Sequence, residues 1–243
     1  MTVLALHGFT GSPDSWAFLD EGTIAFDAPV LVGHAGASDT AQVNGFEDEV
    51  DRLAQLASAH EPVELVGYSL GARLALGITL RHPERVARLT LISGHPGLAS
   101  DEERRARRAA DSAWIELLLG RGVLAFVDAW ETQPLWTTQS GLPESARSRR
   151  RAARLSHDAA GLARSLRVTG LAEMPNYFDR LAELALPVTV LAGQLDEKFT
   201  VLARAMAARL RHPTLEIIPG AGHDLLLERP ELITEVIRRG NQT

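Results

Sequence analysis

The feature that most constrains this chain is a glycine-rich segment that joins an apolar run to a helical pattern. Val63–Val66 is predicted to be a buried strand, Leu70–Arg81 a helix that ends before Pro83, and a G-x-S-x-G sequence centred on Ser69 lies between them. At that spacing the serine sits on a tight turn that exposes its hydroxyl at the edge of a sheet. We therefore predict a strand–turn–helix unit with a functional serine, against the alternative of an ordinary strand–helix turn.

The rest of the chain alternates short apolar runs with amphipathic helical patterns, which is typical of a parallel sheet covered by helices. Most runs are rich in Val, Ile and Leu without alternation, as expected for strands that are buried on both faces. The predicted strands are Val3–Leu6, Val30–Val32, Val63–Val66, Leu89–Ile92, Val188–Ala192 and Leu215–Ile218. The predicted helices beside them are Phe46–Ala59, Leu70–Arg81, Thr200–Leu210 and Pro230–Arg239.

One interval, between Ser93 and Pro187, has no convincing strand pattern. It opens with a capping box, in which Ser100 is followed three residues later by Glu103. We predict a helical lid insertion at residues 95–186, placed over the carboxyl ends of the strands where such sheets bind ligands, and an α/β core at 1–94 and 187–243. The predicted lid helices are Ser100–Leu118, Val123–Trp130, Glu144–Leu155 and Gly161–Val168.

Two further strand ends carry the partners that a reactive serine needs. Val188–Ala192 leads into a loop that ends on Asp196, and Leu215–Ile218 leads through a glycine-rich turn to His223. A serine hydroxyl is a poor nucleophile or base unless an imidazole takes its proton and a carboxylate orients that imidazole. Singly, Asp196 is equally well explained as a helix N-cap and His223 as a surface histidine. The order Ser, Asp, His at three strand ends predicts an α/β-hydrolase fold, with a mostly parallel central sheet flanked by helices, and a catalytic triad of Ser69, Asp196 and His223.

This chemistry also needs N–H donors for a developing oxyanion, which the fold takes from the residue after the serine and from the loop after the first strand. Leu70 supplies the first donor, and we predict Phe9 for the second. His7, in the same loop, is expected to shape the loop rather than act on substrate. The other histidines lack metal-ligand spacing, so we predict no metal site and expect surface or structural roles for them. They are His34, His60, His82, His95, His157 and His212.

Composition excludes several classes of protein. The chain has 243 residues, no cysteine and a formal net charge of −6, which gives no bulk attraction to nucleic acid or anionic membranes. No apolar stretch approaches the roughly 18 residues that span a bilayer, and the N-terminus lacks a signal-peptide pattern. We therefore expect a cytoplasmic protein, monomeric or weakly oligomeric, that forms no disulfide and binds neither nucleic acid nor membranes.

Arginine use is uneven, because Lys198 is the only lysine and about half of the arginines fall between Arg104 and Arg167. Most of these are expected on solvated helix faces. Arg73 lies four residues after Ser69, so it shares the helix face below the serine. Since arginine recognises carboxylates through paired hydrogen bonds, this pattern favours a small anionic substrate.

Three segments are more particular than the triad: Gly94-His95-Pro96-Gly97-Leu98, Trp130-Glu131-Thr132-Gln133-Pro134-Leu135-Trp136 and Asp196-Glu197-Lys198-Phe199. Together with residues 6–11, 67–73, 103–114, 193–195 and 221–223, they make nearly the whole chain similar to one family. The chain resembles the menaquinone-pathway lyases called MenH, 2-succinyl-6-hydroxy-2,4-cyclohexadiene-1-carboxylate synthases.

The resemblance implies an enzyme without metal or organic cofactor that eliminates pyruvate from a polycarboxylate, 2-succinyl-5-enolpyruvyl-6-hydroxy-3-cyclohexene-1-carboxylate. In that family the triad acts as a general base on a proton beside the succinyl ketone, and the two backbone N–H groups hold the enolate oxygen. Tyr68 and Trp130 fall on the family's pocket residues. The residues that fall on its carboxylate-binding arginines are Arg73, Arg107 and Arg154, with Arg149–Arg151 competing for the last position.

Two alternatives remain at this point. The first is a serine hydrolase of small esters or carbon–carbon bonds, with Ser69 as a true nucleophile; the arginines favour the lyase over it. The second is a non-catalytic ligand-binding protein on the same scaffold, whose odds the intact triad lowers.

Overall fold

The computed structural model describes residues 3–17, 19, 24–37, 40–57 and 62–240. Its centre is a six-stranded sheet in which every neighbouring pair is parallel, in the order β2-β1-β3-β4-β5-β6. This arrangement confirms the predicted parallel sheet flanked by helices. The strands are β1 Val3–Leu6, β2 Phe26–Asp27, β3 Val63–Tyr68, β4 Val86–Ile92, β5 Val188–Gly193 and β6 Pro213–Ile218.

Helices cover both faces of the sheet. On β3, Leu65 packs with the apolar side chains of one face and Val66 with those of the other, so the strand is buried on both sides as its continuous apolar pattern predicts. Phe46 and Leu74 represent the helices on the first face, and Ile233 those on the second. The helices of the core are α1 Phe46–Ala57, α2 Leu70–Arg81, α6 Glu197–Ala207, α7 Leu225–Glu228 and α8 Pro230–Gly240.

Most predicted elements are confirmed to within a few residues. The helix predicted at Thr200–Leu210 begins and ends three residues earlier, because Asp196 already occupies the N-cap position. The predicted end of Phe46–Ala59 lies outside the described residues, which show the helix up to Ala57.

The strand predicted at Val30–Val32 is wrong, since the second strand of the sheet is Phe26–Asp27 and this segment is a loop. Its backbone N–H groups bond to side chains instead of a neighbouring strand. Leu31 N–H donates to Nε2 of His7 at 3.2 Å, and Val32 N–H donates to Oε1 of Glu49 at 2.8 Å. Leu31 and Val32 are buried as predicted and Val30 is half-buried, but burial alone does not distinguish a strand from a buried loop whose polar groups are satisfied.

The interval between β4 and β5 is helical, as predicted. Two predicted helices join into one 30-residue helix, α3 Asp101–Trp130, which is kinked at Gly122 (φ 80°, ψ 175°). Its N-terminus has the predicted capping box of Ser100 and Glu103. Residues 95–186 are called the lid segment below; besides short 3₁₀ helices, it holds α3, α4 Glu144–Leu155 and α5 Ala159–Thr169.

Strand order places a ligand crevice between β1 and β3. The chain leaves β1 toward β2 on one side and returns to β3 on the other, and ligands of open α/β sheets bind at the carboxyl ends of strands where the order reverses. In the register of these strands Leu6 pairs with Gly67, so the loop after β1 and the turn after β3 lie side by side. No helix formed by the described residues is both long and apolar enough to cross a bilayer.

A buried carboxyl on β3 carries a cost for the fold. Glu64 is fully buried, and neither of its carboxyl oxygens has a hydrogen-bond partner among the described residues. Burial raises the pKa of the Glu64 carboxyl to about 7, although the nearby Arg88 guanidinium acts in the opposite direction. The folded protein therefore holds this proton more tightly than the unfolded chain, in which a glutamate has a pKa of about 4.3.

We predict that Glu64→Gln raises the free energy of unfolding at pH 8 by about 1–3 kcal/mol and changes it much less at pH 5. The stability that the bound proton contributes is fully present below the unfolded pKa. It is lost as the pH rises through the folded pKa of about 7. Urea unfolding at both pH values measures the difference. The control is Glu116→Gln on an exposed position of α3, for which the two pH values should give the same change. An equal effect of Glu64→Gln at both pH values would contradict the prediction.

Candidate active site

Ser69 lies on a sharp turn between β3 and α2. Its backbone has φ 52° and ψ −105°, a region that side-chain-bearing residues rarely adopt. The neighbouring glycines make the turn feasible because other chain segments approach them closely. A Cβ atom on Gly71 would lie 2.0 Å from the Leu6 carbonyl oxygen, and one on Gly67 would lie 2.3 Å from the Gly71 oxygen. The strain at Ser69 is thus maintained by packing of β1, β3 and α2.

The three predicted catalytic residues form one hydrogen-bonded chain. Nε2 of His223 lies 3.0 Å from Oγ of Ser69, and Nδ1 of His223 lies 2.7 Å from Oδ2 of Asp196. An ionised carboxylate only accepts hydrogen bonds, so Nδ1 carries the ring proton and Nε2 is the acceptor for the serine hydroxyl. His223 and Asp196 are buried, whereas Ser69 is partly exposed to the pocket. This arrangement can take a proton from Ser69 and stabilise the resulting imidazolium.

Backbone contacts fix the loops that carry the histidine and the carboxylate. A Cβ atom on Gly193 would lie 2.0 Å from the Gly222 carbonyl oxygen, so only glycine allows the ends of β5 and β6 to approach this closely. The Ser93 hydroxyl, at the end of β4, donates to the His223 carbonyl at 2.8 Å. No sequence pattern indicates this role of Ser93, because it depends on a contact across 130 residues.

The lid segment holds the residues on either side of His223. Thr138 donates to Oε1 of Glu228 at 2.9 Å, and the other oxygen of Glu228 accepts the Gly222 N–H at 2.7 Å. On the other side, Arg150 of α4 forms a buried ion pair with Asp224. The position of His223 therefore depends on the lid as well as on the sheet.

The loop after β1 lies beside the serine, and its histidine has the expected shaping role. His7 is fully buried; its Nδ1 lies 2.9 Å from the Gly8 carbonyl, and its Nε2 accepts the Leu31 N–H. Since Nε2 is an acceptor, Nδ1 carries the proton and donates to Gly8. Burial lowers the pKa of His7 to about 4, which keeps the ring neutral. In a trans peptide the N–H points opposite to the carbonyl, so this bond directs the Phe9 N–H away from His7.

A cavity of about 210 Å³ opens beside Ser69, and two chemically different groups of side chains line it. The first group, called the cationic wall below, is cationic or polar and comes from α2, the turn after β4, α3 and the start of α6. The second group is aromatic. The first group contains Arg73, His95, Arg107 and Lys198, and the second contains Phe9, Tyr68, Trp130, Trp136 and Phe199. Such a pocket suits a ligand that has both an apolar ring and carboxylates.

The two arginines of the cationic wall are close enough to affect each other. Burial, followed by the charge of Arg107, lowers the pKa of Arg73 to about 9, while Asp111 acts in the opposite direction. Arg107 is paired with Asp111 through Nε at 2.9 Å, and Arg73 donates to the Thr169 carbonyl at 2.9 Å. Because burial and the charge of Arg107 disfavour the charged form of Arg73, an anion bound beside Arg73 would be stabilising.

Most of the predicted site residues meet at this cavity, with Asp196 behind the histidine. Those that line it are Phe9, Tyr68, Ser69, Leu70, Arg73, Arg107, Trp130 and His223. The predicted surface or structural role of His95 is incomplete, because His95 also lines the cavity. His60 lies outside the described residues. Lys198 and Phe199 also line the cavity, although no site role was predicted for them. The motif Asp196-Glu197-Lys198-Phe199 was the sequence signal that could have indicated this role.

Arg154 is the exception among the predicted substrate-binding residues. It is buried, but it lines a neighbouring cavity, where it pairs with Glu131 at 2.9 Å and stacks over the Trp136 ring at 4.8 Å. Trp136 lines both cavities. Arg150, a competitor for the same role, is committed to Asp224. Among the described residues, no three His, Asp or Glu side chains are grouped so that they could hold a metal ion.

Known proteins are similar to this chain along nearly its whole length. The alpha/beta hydrolase family model matches residues 3–236. The 2-succinyl-6-hydroxy-2,4-cyclohexadiene-1-carboxylate synthase of Escherichia coli (strain K12) is 32% identical over 93% of this chain and 87% of its own length. A Bacillus subtilis (strain 168) protein, provisionally given the same name, is 37% identical over 97% of this chain and 88% of its own. The chain belongs to this synthase family of the α/β-hydrolase fold.

Solved structures agree with that assignment. The structure of MenH from S. aureus superposes with a TM-score of 0.95 and 27% identity, covering 100% of this chain and 95% of its own. A thermophilic esterase from Thermogutta terrifontis, solved with malate bound, has a TM-score of 0.82 and 26% identity, covering 100% of this chain and 89% of its own. The predictions of an α/β-hydrolase fold, of the MenH family and of a lyase on that fold are confirmed.

Proposed function

We propose that this lyase eliminates pyruvate from 2-succinyl-5-enolpyruvyl-6-hydroxy-3-cyclohexene-1-carboxylate by general-base catalysis at Ser69. Its place in the synthase family supports the reaction and the role in menaquinone biosynthesis. The observation that carries the assignment of the site is the opening of the triad onto a pocket that combines cations with aromatic rings. The proposal includes a small polycarboxylate as substrate and the cytoplasmic location that the composition favours.

The triad supplies the proton transfer. The Ser69 hydroxyl donates to Nε2 of His223, so the imidazole can take that proton while Oγ removes one from the carbon beside the succinyl ketone. Asp196 holds Nδ1–H and stabilises the imidazolium. The electron pair of the broken C–H bond passes to the ketone oxygen as an enolate. When the ketone re-forms, a new ring double bond forms at the deprotonated carbon, the existing ring double bond shifts one position toward the carbon that bears the enolpyruvyl group, and the C–O bond to that group breaks. The imidazolium proton is then available to the departing enolpyruvate, which leaves as pyruvate.

Two backbone N–H groups hold the enolate oxygen in this proposal. Leu70 is the first residue of α2, so its N–H has no carbonyl partner within the helix and lies at the positive end of the helix dipole. The Phe9 N–H is turned away from His7 by the bond to the Gly8 carbonyl. No residue of the described chain accepts a hydrogen bond from either N–H. Together they supply the electrostatic stabilisation that enolate formation needs.

The pocket walls bind the rest of the substrate. Arg73 and Arg107 recognise substrate carboxylates, and the Tyr68 and Trp130 rings contact the cyclohexene ring. Arg154 reaches this ligand only if Trp136 moves, since the two cavities meet at that indole. Hydrolysis of neutral esters, the alternative that the shared esterase fold keeps open, leaves the cations that line the pocket without a role.

We predict that Ser69→Ala, Asp196→Asn and His223→Ala each lower kcat by about 10³-fold or more, and that a double variant is little worse than the poorest single one. The three side chains act as one hydrogen-bonded unit, so losing any member disables it. Pyruvate release, coupled to lactate dehydrogenase, measures the rate, and circular dichroism checks folding. Near-normal turnover by Asp196→Asn would show that this carboxylate does not orient the histidine.

We predict that Arg107→Ala raises KM for the polycarboxylate by about ten- to a hundred-fold, because a charge-assisted hydrogen bond to a desolvated carboxylate is lost. Arg107→Lys should recover only part of the loss, since an ammonium lacks the planar fork. The matched control is Arg105→Ala, two residues away on the exposed side of α3. Equal, small changes at both positions would remove the cationic wall from substrate binding. A large effect of Arg154→Ala would show that the substrate also reaches the neighbouring cavity.

A further inference from the structure

His95 is a pocket residue that the mechanism above does not use. It follows β4, it is 8% exposed, and its exposed part faces the cavity that it shares with Arg73, Arg107 and Lys198. Its neighbours on the cavity wall are cations, so its chemistry there depends on which of its ring nitrogens carries a proton.

The turn that carries His95 is rigid. Gly97 has a φ of 106°, and a Cβ atom on it would lie 2.4 Å from the Pro175 carbonyl oxygen. The Tyr177 N–H donates to the Pro96 carbonyl at 2.7 Å, which ties the turn to the end of the lid segment. The His95 ring is therefore presented to the cavity from a fixed backbone.

Hydrogen bonding settles the tautomer of the ring. The Gly97 N–H donates to Nδ1 of His95 at 3.0 Å, so Nδ1 is the acceptor and the proton of the neutral ring is on Nε2. Burial, then the charges of Lys198, Arg73 and Arg107, lower the pKa of His95 to about 3, so the ring stays neutral at physiological pH. No residue of the described chain accepts a hydrogen bond from Nε2, which leaves that N–H free to meet a ligand.

We propose that His95 is a specificity-determining residue whose Nε2–H donates a hydrogen bond to a carboxylate oxygen of the substrate, beside Arg73 and Arg107. A neutral donor adds a directed hydrogen bond without adding a further cation to a wall whose charges already repel one another. The inference rests on the proposed function, because the donor is matched to a substrate that carries carboxylates.

Two substitutions separate this role from a purely structural one. The amide nitrogen of His95→Gln reaches about as far as Nε2, so this variant keeps a donor to the pocket but loses the acceptor for the Gly97 N–H. The amide oxygen of His95→Asn lies near the position of Nδ1, so this variant keeps the turn but loses the donor. His212→Asn, at an exposed position, is the control for the chemical change alone.

We predict that His95→Asn raises KM for the polycarboxylate about tenfold, whereas His95→Gln stays within about threefold of the parent enzyme. The melting temperature should fall more for His95→Gln than for His95→Asn, because only His95→Gln leaves the Gly97 N–H without its acceptor. If His95→Asn binds substrate as well as or better than His95→Gln, the ring serves only the turn and the inference is wrong.

The experiment also distinguishes this inference from the proposed function. If the parent enzyme releases pyruvate and both variants have its KM, only the role of His95 is wrong. If the parent enzyme releases no pyruvate, the proposed function is wrong, and the same comparison is made with succinate as the probe, through quenching of the tryptophan fluorescence of the pocket wall. Weaker succinate binding by His95→Asn than by His95→Gln would still support the donor, and the opposite order would overturn it.

Discussion

The positive φ of Ser69 is held by backbone contacts among β1, β3 and α2. The placement of every proposed catalytic group depends on these contacts. Because the Leu6 carbonyl lies where a Gly71 Cβ would be, the loop after β1 is brought beside the first turn of α2. Phe9 and Leu70 then both line the cavity beside the serine. Asp196 follows β5 and His223 follows β6 at the same edge of the sheet, and the two residues form a hydrogen-bonded chain with the serine. The strain at one residue is thus part of the mechanism that it serves.

The lid segment gives this common scaffold its particular chemistry. It contributes Arg107 and the tryptophans to the pocket, and it holds the His223 loop through Glu228 and Asp224. The core contributes Arg73, whose charge is disfavoured by burial and by Arg107. An anionic ligand would offset that cost, whereas a neutral ester would not, which is the electrostatic reason for proposing a polycarboxylate substrate.

Local patterns predicted what local physics decides. The grouping of Ser69, Asp196 and His223 was predictable because each lies in the turn or loop that follows a strand, and α2 was predictable because a strand–turn–helix motif and a proline mark its two ends. The prediction of a strand at Val30–Val32 was wrong, because the side chains of His7 and Glu49, which are distant in sequence, accept the hydrogen bonds of that backbone. The position of His95 at the cavity and the separation of Arg154 from it depend on packing across the lid, which spacing along the chain does not record.

The central claim is that Ser69 acts as a base and not as a nucleophile. Rapid-quench mass spectrometry of the Ser69 peptide during turnover of the enolpyruvyl substrate tests it most directly, because serine attack on a carbonyl leaves a covalent intermediate and proton abstraction does not. The account predicts an unmodified peptide at every time point while pyruvate accumulates. A substrate-derived mass on that peptide, formed and lost at the rate of turnover, would contradict it.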